Sequence, residues 1–365
     1  MRCPDMSVRL MAVGDIALRR KPEGRDPFEF VKETLGEADL VFGNLEVPLT
    51  SAREPVEEKA EPLRAPVEQS SYLSAANFSV VNLANNHIGD YGPAGVLETI
   101  DSLQRAGIGH VGVGRTVTEA VQEVVRTVGG VTVAFIGFYE YGAISSSDGV
   151  YIAGMDRQLV VHRIAELAKR CAFVVASLHW GIENVSYPSP EQQSLARACV
   201  DAGASVLVGH HPHCLQGIEV REGRVIFYSL GNFNFMCDGD AKKSCCDLTA
   251  IADVTLHDDG TVSHELIAAR IGDDYCPRPI TDRNEMAEFR VHMERISAVL
   301  ERGVETWWWF GEIGGTYLAG NLKAFGIRIR RYGLRHAIEM VQWLTGRFAL
   351  KCCVGMIRRR LRRRA

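Results

Sequence analysis

Ala204-Ser205-Val206-Leu207-Val208-Gly209-His210-His211-Pro212-His213 runs from an apolar stretch straight into three of the chain's eleven histidines. The residues before Gly209 read as a buried strand, and the glycine and proline that follow punctuate its end. A buried strand that stops in an imidazole cluster holds those rings at the edge of a sheet, where metals and substrates are bound. The rest of the chain must then supply the sheet and bring further polar groups to the same edge.

Working back from this stretch, Ser189-Pro190-Glu191-Gln192 has the spacing of a capping box and predicts a helix that closes at Gly203. Before it, Ala172 to Leu178 is a buried-type strand that ends in His179-Trp180-Gly181, and Asp156 to Arg170 is an amphipathic helix. Val131 to Gly137 is a β-branched strand, and Ile108 to Gly112 a short one. Gly92 to Gln104 carries Val96, Leu97, Ile100 and Leu103 on one helix face. Phe78 to Leu83 is a strand that runs into Ala84-Asn85-Asn86-His87. Val67 to Ala76 reads as a helix. Leu40-Val41-Phe42 is a short strand that ends in Gly43-Asn44-Leu45-Glu46. Asp26-Pro27-Phe28-Glu29 reads as a helix start, with Asp26 as cap, and that helix is expected to end near Gly36. Ser7 to Val13 is a strand that stops at Gly14-Asp15.

Working forward, Ile218-Glu219-Val220 and Val225 to Tyr228 flank Glu222-Gly223 as a hairpin, which leads to Ser229-Leu230-Gly231-Asn232-Phe233. Leu248 to Leu256 and Thr261 to Ile271 form a second hairpin around Asp259-Gly260. Strands alternate with helices up to residue 208 and hairpins follow, which predicts a mixed α/β or α+β architecture with two sheets. Asp282 to Gly303 is a further helix.

Composition sets the outer limits. The 365 residues are 46% hydrophobic and 24% charged, ordinary values for a globular chain. No apolar segment follows Met1, and no run of about 18 apolar residues occurs, so the expectation is a cytoplasmic chain without a spanning helix. Ten cysteines are scattered without Cys-x-x-Cys spacing, so they read as reduced packing thiols. Cys237, Cys245 and Cys246 share one polar loop.

Five strands therefore end in residues that bind metals or move protons: Asp15, Asn44 and Glu46, Asn85-Asn86-His87, His179, and His210, His211 and His213. Singly, each has an ordinary explanation as a turn, a cap or a buried histidine. Together, and all at strand ends, they point to a metal site of oxygen and imidazole ligands, which suits Mn, Fe, Zn or Mg. Asp15 and Glu46 are placed to share two ions, and ions about 3.5–4 Å apart would clamp a phosphoryl displacement. Asp90, Glu183 and Asn232 are candidates to orient the imidazoles.

These same motifs, in this order, carry a family resemblance. Gly14-Asp15, Asn44-Leu45-Glu46, Asn85-Asn86-His87, His179-Trp180-Gly181, Gly209 to His213 and Ser229 to Phe233 resemble the CapA family of bacterial capsule (poly-γ-glutamate) synthesis proteins, within the calcineurin-like metallophosphoesterase superfamily. The resemblance spans about residues 7–272. It implies an α+β fold, a four-layer α/β/β/α sandwich with two mixed sheets, in a domain over 1–275, followed by a helical extension over 276–365. It implies a site with two divalent ions. Asp15 resembles a ligand of the first metal and Glu46 the bridging carboxylate. Asn86 and His179 resemble ligands of the second, and His211 and His213 match the outer residues of a His-x-His. His87 falls where a histidine protonates the leaving group. Ala17 stands where the superfamily has a histidine, and Glu46 where it has an aspartate. The register leaves His210 and His211 as alternatives for one ligand position.

The C-terminal end differs in charge. Residues 321–365 hold thirteen Lys/Arg and one acid, Glu339, a net of +12, whereas the preceding 320 residues hold 28 Lys/Arg against 44 Asp/Glu, a net of −16. Ala337, Met340, Val341, Leu344, Phe348 and Cys352 predict one apolar helix face. Beside the basic run Arg358 to Arg364, that face suggests either peripheral contact of residues 336–365 with the inner face of an anionic membrane, or a helix that packs its apolar face on the core and ends in a solvated, frayed tail. The acidic body repels phosphates, which disfavours nucleic acid as a partner. Trp307-Trp308-Trp309 reads as core or a subunit contact.

Two functions fit the motifs: a dinuclear-metal hydrolase acting on a phosphoester or related substrate during handling of an anionic polymer, or a non-catalytic accessory subunit that binds such a polymer beside a membrane synthase.

Overall fold

The computed structural model describes residues 7–18, 25–56, 61–142, 149–235 and 246–362. The elements follow the chain as β1 (Val8–Ile16), α1 (Lys32–Gly36), β2 (Leu40–Leu45), α2 (Ser70–Ala75), β3 (Phe78–Asn82), α3 (Gly92–Arg105), β4 (Gly109–Val111), β5 (Val113–Gly114), α4 (Val117–Ala120), β6 (Val124–Val128) and β7 (Val131–Tyr139). Next come β8 (Tyr151–Ile152), α5 (Arg157–Ala168), β9 (Phe173–His179), α6 (Pro190–Asp201), β10 (Val206–His210), β11 (Ile218–Arg221), β12 (Arg224–Phe227) and β13 (Asn232–Asn234). The chain closes with β14 (Leu248–Leu256), β15 (Val262–Ile271), β16 (Pro277–Pro279), α7 (Arg283–Arg302), α8 (Thr306–Tyr332), α9 (Arg335–Leu344) and α10 (Arg347–Arg362).

Two mixed sheets result. The first runs β16-β15-β14-β1-β2-β3-β4, with β13 beside the end of β1, and the second runs β11-β12-β10-β9-β7-β6. Side-chain alternation explains why they stack. In β1, Leu10 and Ala12 point into a core between the sheets while Met11 and Val13 point out under the helices. In β9, Phe173 and Val175 face the same inter-sheet core while Val174, Ala176 and Leu178 face the opposite helical layer. The helices α1, α2 and α3 cover the first sheet through Leu35, Leu73, Val96, Ile100 and Leu103. The second sheet is covered by α5 and α6 through Val160, Ile164, Ala196 and Cys199. This is the four-layer α/β/β/α sandwich expected, with both faces of the central strands β1, β2, β9 and β10 buried and the outer strands β6, β11 and β15 partly exposed.

Local signals hold at most helix starts. Ser189 and Gln192 make the capping box, with the Ser189 hydroxyl accepting from the Gln192 amide at 3.1 Å. Asp282 caps α7, and Gly303, with φ 78°, follows its last turn. The expected helix from Asp26 is shorter than its sequence signal. Asp26 accepts from the Phe28 amide, the following residues form turns, and regular helix begins only at Lys32. Phe28 is pulled inward against Phe78 and Phe233, and Val31 leaves the helical region at φ −124°, so burial overrides the cap.

The tail also departs from its reading. The single apolar face expected over Ala337 to Cys352 is divided, because helix stops at Leu344 and restarts at Arg347 around Thr345-Gly346. Cys352 is fully buried, whereas Val341 is 56% exposed. Trp309 is core, with its indole donating to Tyr187 O at 3.0 Å.

Candidate metal centre

The parallel strands of both sheets stop at one rim. Asp15 of β1 is in register with Asn44 of β2, and Asn44 with Asn82 of β3. Across the sandwich, His179 of β9 is in register with His210 of β10 and with Tyr139 of β7. Close backbone approach makes this rim possible. A Cβ on Gly14 would lie 1.9 Å from Gly231 O, and one on Gly209 would lie 1.9 Å from Tyr228 O, so only glycine fits at either place. Beyond Gly209, His211 and His213 both take positive φ, 94° and 57°. Such backbone costs about 1–3 kcal/mol per residue and marks a loop held open by its surroundings.

Asn44 knits the carboxylate side together. Its Nδ2 donates to Asp15 Oδ1 at 2.9 Å, and it lies 3.5 Å from Glu46 Oε2 and 3.3 Å from His179 Nδ1. Its Oδ1 accepts from the amides of Asn82 at 3.0 Å and Asn85 at 3.3 Å. Asn85 in turn shapes the next loop, accepting from the backbone amides of His87 and Ile88. Asp15 Oδ2 accepts from the His211 amide at 3.2 Å and lies 3.2 Å from His213 Nδ1. His213 Nδ1 also faces Asn232 Oδ1 at 2.9 Å, and its Nε2 is 3.6 Å from Glu46 Oε1. Asn86 Oδ1 is 2.8 Å from His179 Nε2, which is itself 3.8 Å from Glu46 Oε1. His87 Nδ1 is 2.8 Å from the buried Asp90 carboxylate.

The charges divide by environment. Burial opposes ionisation of Asp15, but the His210 and His213 imidazoles overcome it and hold this carboxyl well below its usual range. Burial, with Asp15's charge added, drives Glu46 well above it. Burial also lowers His179, helped by His211, and lowers His211 to about 4. His213 goes the other way: burial is outweighed by the adjacent carboxylates, so it keeps a proton that a bound cation would displace. His179 and His211 are therefore neutral imidazoles at neutral pH, the form that ligates metals.

Three donor groups meet here: Asp15, Glu46 and His213; Glu46, His179 and His211; and Glu183, His211 and His213, the atoms of each group lying within 4.8 Å of one another. Shared members link the groups into one patch. Glu46 Oε1 and His211 Nδ1 are buried without a hydrogen-bond partner, a cost of about 1–3 kcal/mol each unless something binds them. Orphaned carboxylate and imidazole atoms in one patch, with no thiolate, fit a divalent cation of the Mn, Fe, Zn or Mg type. Asp15, Glu46 and Asn86 are supplied from the first sheet's rim, and His179, His211 and His213 from the second's.

The sequence-expected residues thus converge, with distinct positions. Asn44, Asn85, Asp90 and Asn232 each hydrogen-bond a candidate ligand, a neighbouring loop or His87. Glu183 is exposed, yet its carboxylate joins His211 and His213. Of the two alternative histidines, His211 joins the donor groups. His210 lies behind Asp15, its Nδ1 3.3 Å from Asp15 Oδ1 and its ring 6.4 Å from that of Phe42 in the inter-sheet core. Cys246 is buried beside Asn184, and Cys237 and Cys245 lie outside the described residues. Three contributors were missed in the sequence. Asn82, a polar residue inside an apolar strand, supports Asn44. Tyr139, at the end of β7, packs edge-on to His179 at 5.5 Å. Phe235 packs on His213 at 4.8 Å. The first two carried a legible signal, a buried amide and a sixth strand end.

Fold and site define a four-layer sandwich whose strand ends gather a candidate carboxylate–histidine metal centre. The chain belongs to the family described as bacterial capsule synthesis protein PGA_cap, whose family model matches residues 9–236. It is similar to the capsule biosynthesis protein CapA of Bacillus anthracis, 34% identical over 294 residues, which span 75% of this chain and 70% of that one. It is also similar to the PGA biosynthesis protein CapA of Bacillus subtilis (strain 168), 38% identical over 237 residues, which span 61% of this chain and 62% of that one. Among solved structures, one described as a novel phosphatase of Mycoplasma pneumoniae aligns over 72% of this chain and 94% of that one, at 12% identity and a TM-score of 0.47.

Proposed function

We propose that the chain is a metal-dependent hydrolase that acts on a phosphoester or related acyl bond during the making or handling of a capsule-type anionic polymer. The observation that carries the reading is the set of buried, unpartnered donor atoms on Glu46 and His211 beside Asp15, His179 and His213. The relatives' names, capsule and PGA biosynthesis, support the polymer. Asp15, Glu46, Asn86, His179, His211 and His213 would hold two divalent ions. Bound there, such ions supply Lewis acidity toward a phosphoryl or carbonyl oxygen and acidify water.

The chain's own groups do the rest. Asp90 takes the Nδ1 side of His87, which fixes the tautomer and leaves Nε2 to carry the exchangeable proton. His87 follows Asn86, whose Oδ1 reaches His179 Nε2 at 2.8 Å, and this adjacency supports His87 as the group that gives a proton to a leaving oxygen. Asn44 and Asn232 hold Asp15 and His213 in place, and the Tyr139 and Phe235 rings limit water around the imidazoles.

Metal analysis of the purified chain together with hydrolysis of a generic aryl phosphate tests this. Bound divalent metal is expected, with Glu46→Ala losing it. His87→Ala should keep the metal and lose about 10²–10⁴-fold in rate, the usual reach of acid–base catalysis. A metal-free protein, or a rate untouched by Glu46→Ala, would overturn the hydrolase and leave a polymer-binding accessory protein.

A further inference from the structure

Internal packing accounts for one face of α10 and leaves the opposite face without a role. Ala349 and Cys352 turn inward and are buried, and Phe348 packs on Tyr317 and Phe310 of α8 at 4.7 and 5.2 Å. On the other side Leu350, Val354, Ile357 and Leu361 recur at steps of four, three and four residues, which places them on one face. They are 52, 40, 58 and 62% exposed. By helical geometry Arg347, Lys351, Arg358 and Arg362 run along one flank of this stripe and Arg360 along the other. Leu334, just before α9, and Ile338 and Val341 within it repeat the pattern, at 80, 65 and 56% exposure.

We propose that this end of the molecule lies on an anionic lipid bilayer, with the α10 stripe at the boundary of headgroups and acyl chains and the flanking cations on lipid phosphates. The charge selects that occupant. Residues 321–365 carry a net +12 and the preceding 320 a net −16, so an anionic surface attracts this end and repels the rest. A second copy would bring two +12 surfaces together. No described helix is long and apolar enough to cross a membrane, so the contact is parallel to the surface. An apolar stripe flanked by cations is the pattern of helices that lie in that plane.

Co-sedimentation of the full chain with vesicles of phosphatidylcholine alone, or mixed with phosphatidylglycerol, tests the docking. Binding is expected only to the mixed vesicles and should weaken as salt rises. Ile357→Asp with Leu361→Asp should reduce it by about tenfold or more. Arg360→Glu with Arg362→Glu should reduce it by about 10- to 30-fold. All four positions are exposed, so circular dichroism and the melting temperature should match the parent. Val117→Asp, on an exposed valine of α4, is the control expected to bind normally. Equal binding to both vesicles, no binding to either, or a dimer that the Ile357→Asp pair dissociates would overturn the proposal.

Discussion

Asn44 touches none of the surrounding solvent and makes more contacts to the centre than any other amide described above. Its Nδ2 can donate to carboxylates only because its Oδ1 is itself held by Asn82 and Asn85, so the three amides act as one unit. Asn44→Ala removes the donor to Asp15 and one of the two acceptors of each of the Asn82 and Asn85 amides, which keep Ala84 O and Leu45 O. A stability loss of about 1–3 kcal/mol is expected from the lost buried hydrogen bonds. Metal affinity should fall about 10–100-fold, the usual effect of losing a group that orients a ligand. Urea denaturation and a metal titration read the two effects separately, and unchanged affinity with lowered stability would reduce Asn44 to a packing residue. For His87 the telling partner is Asp90. Asp90→Asn keeps the size of the side chain but not the charge, so the rate should drop while bound metal stays constant.

At the scale of elements, the end of β10 is set by contact. Gly209→Ala drives a methyl group into the Tyr228 carbonyl, which also accepts the Trp180 indole at 3.1 Å. Overpacking of this kind costs about 1–3 kcal/mol, so a lower melting temperature and displaced His211 and His213 are expected. Ser189→Ala at the start of α6 should cost about 1 kcal/mol through the lost cap, with no change in metal content. The strand ends were legible because buried apolar runs stop abruptly at Asp15, Glu46, His179 and Gly209, where polarity changes within one residue. The break at Thr345-Gly346 was not, because the apolar positions keep helical spacing across it. Nor was the loss of the Asp26 helix start, since what displaces it, the seating of Phe28 against Phe78 and Phe233, joins residues far apart in the chain. His210 and His211 were indistinguishable by spacing. The end of β10 at His210 and the positive φ at His211 separate them.

Over the whole molecule, acidity should loosen the fold through histidines away from the rim. Burial lowers His110 on β4 and His264 on β15 below their ordinary 6.5. Their unfolded forms therefore take up protons first, so the stability they allow is complete above pH 6.5 and is lost as pH falls through that value toward the folded ones. The urea midpoint should be lower at pH 5.5 than at pH 7.5, and His110→Gln with His264→Gln should reduce the difference while His179 and His211, also lowered by burial, carry the remainder; an unchanged slope in that variant would refute the assignment. The division of donors between the two sheets has a mechanical consequence. Away from the rim the sheets meet mainly through apolar side chains, with Arg126 of β6 donating to Ser79 O of β3 at 3.1 Å, and such layers can slide or part, whereas cations gripped from both sides would act as rivets through the sandwich. Loading should raise the unfolding free energy by about 2.7 kcal/mol at a hundredfold excess over Kd. Chelation should speed amide exchange along β1, β2, β9 and β10 together, so the protein would register its metal supply as a change in stiffness.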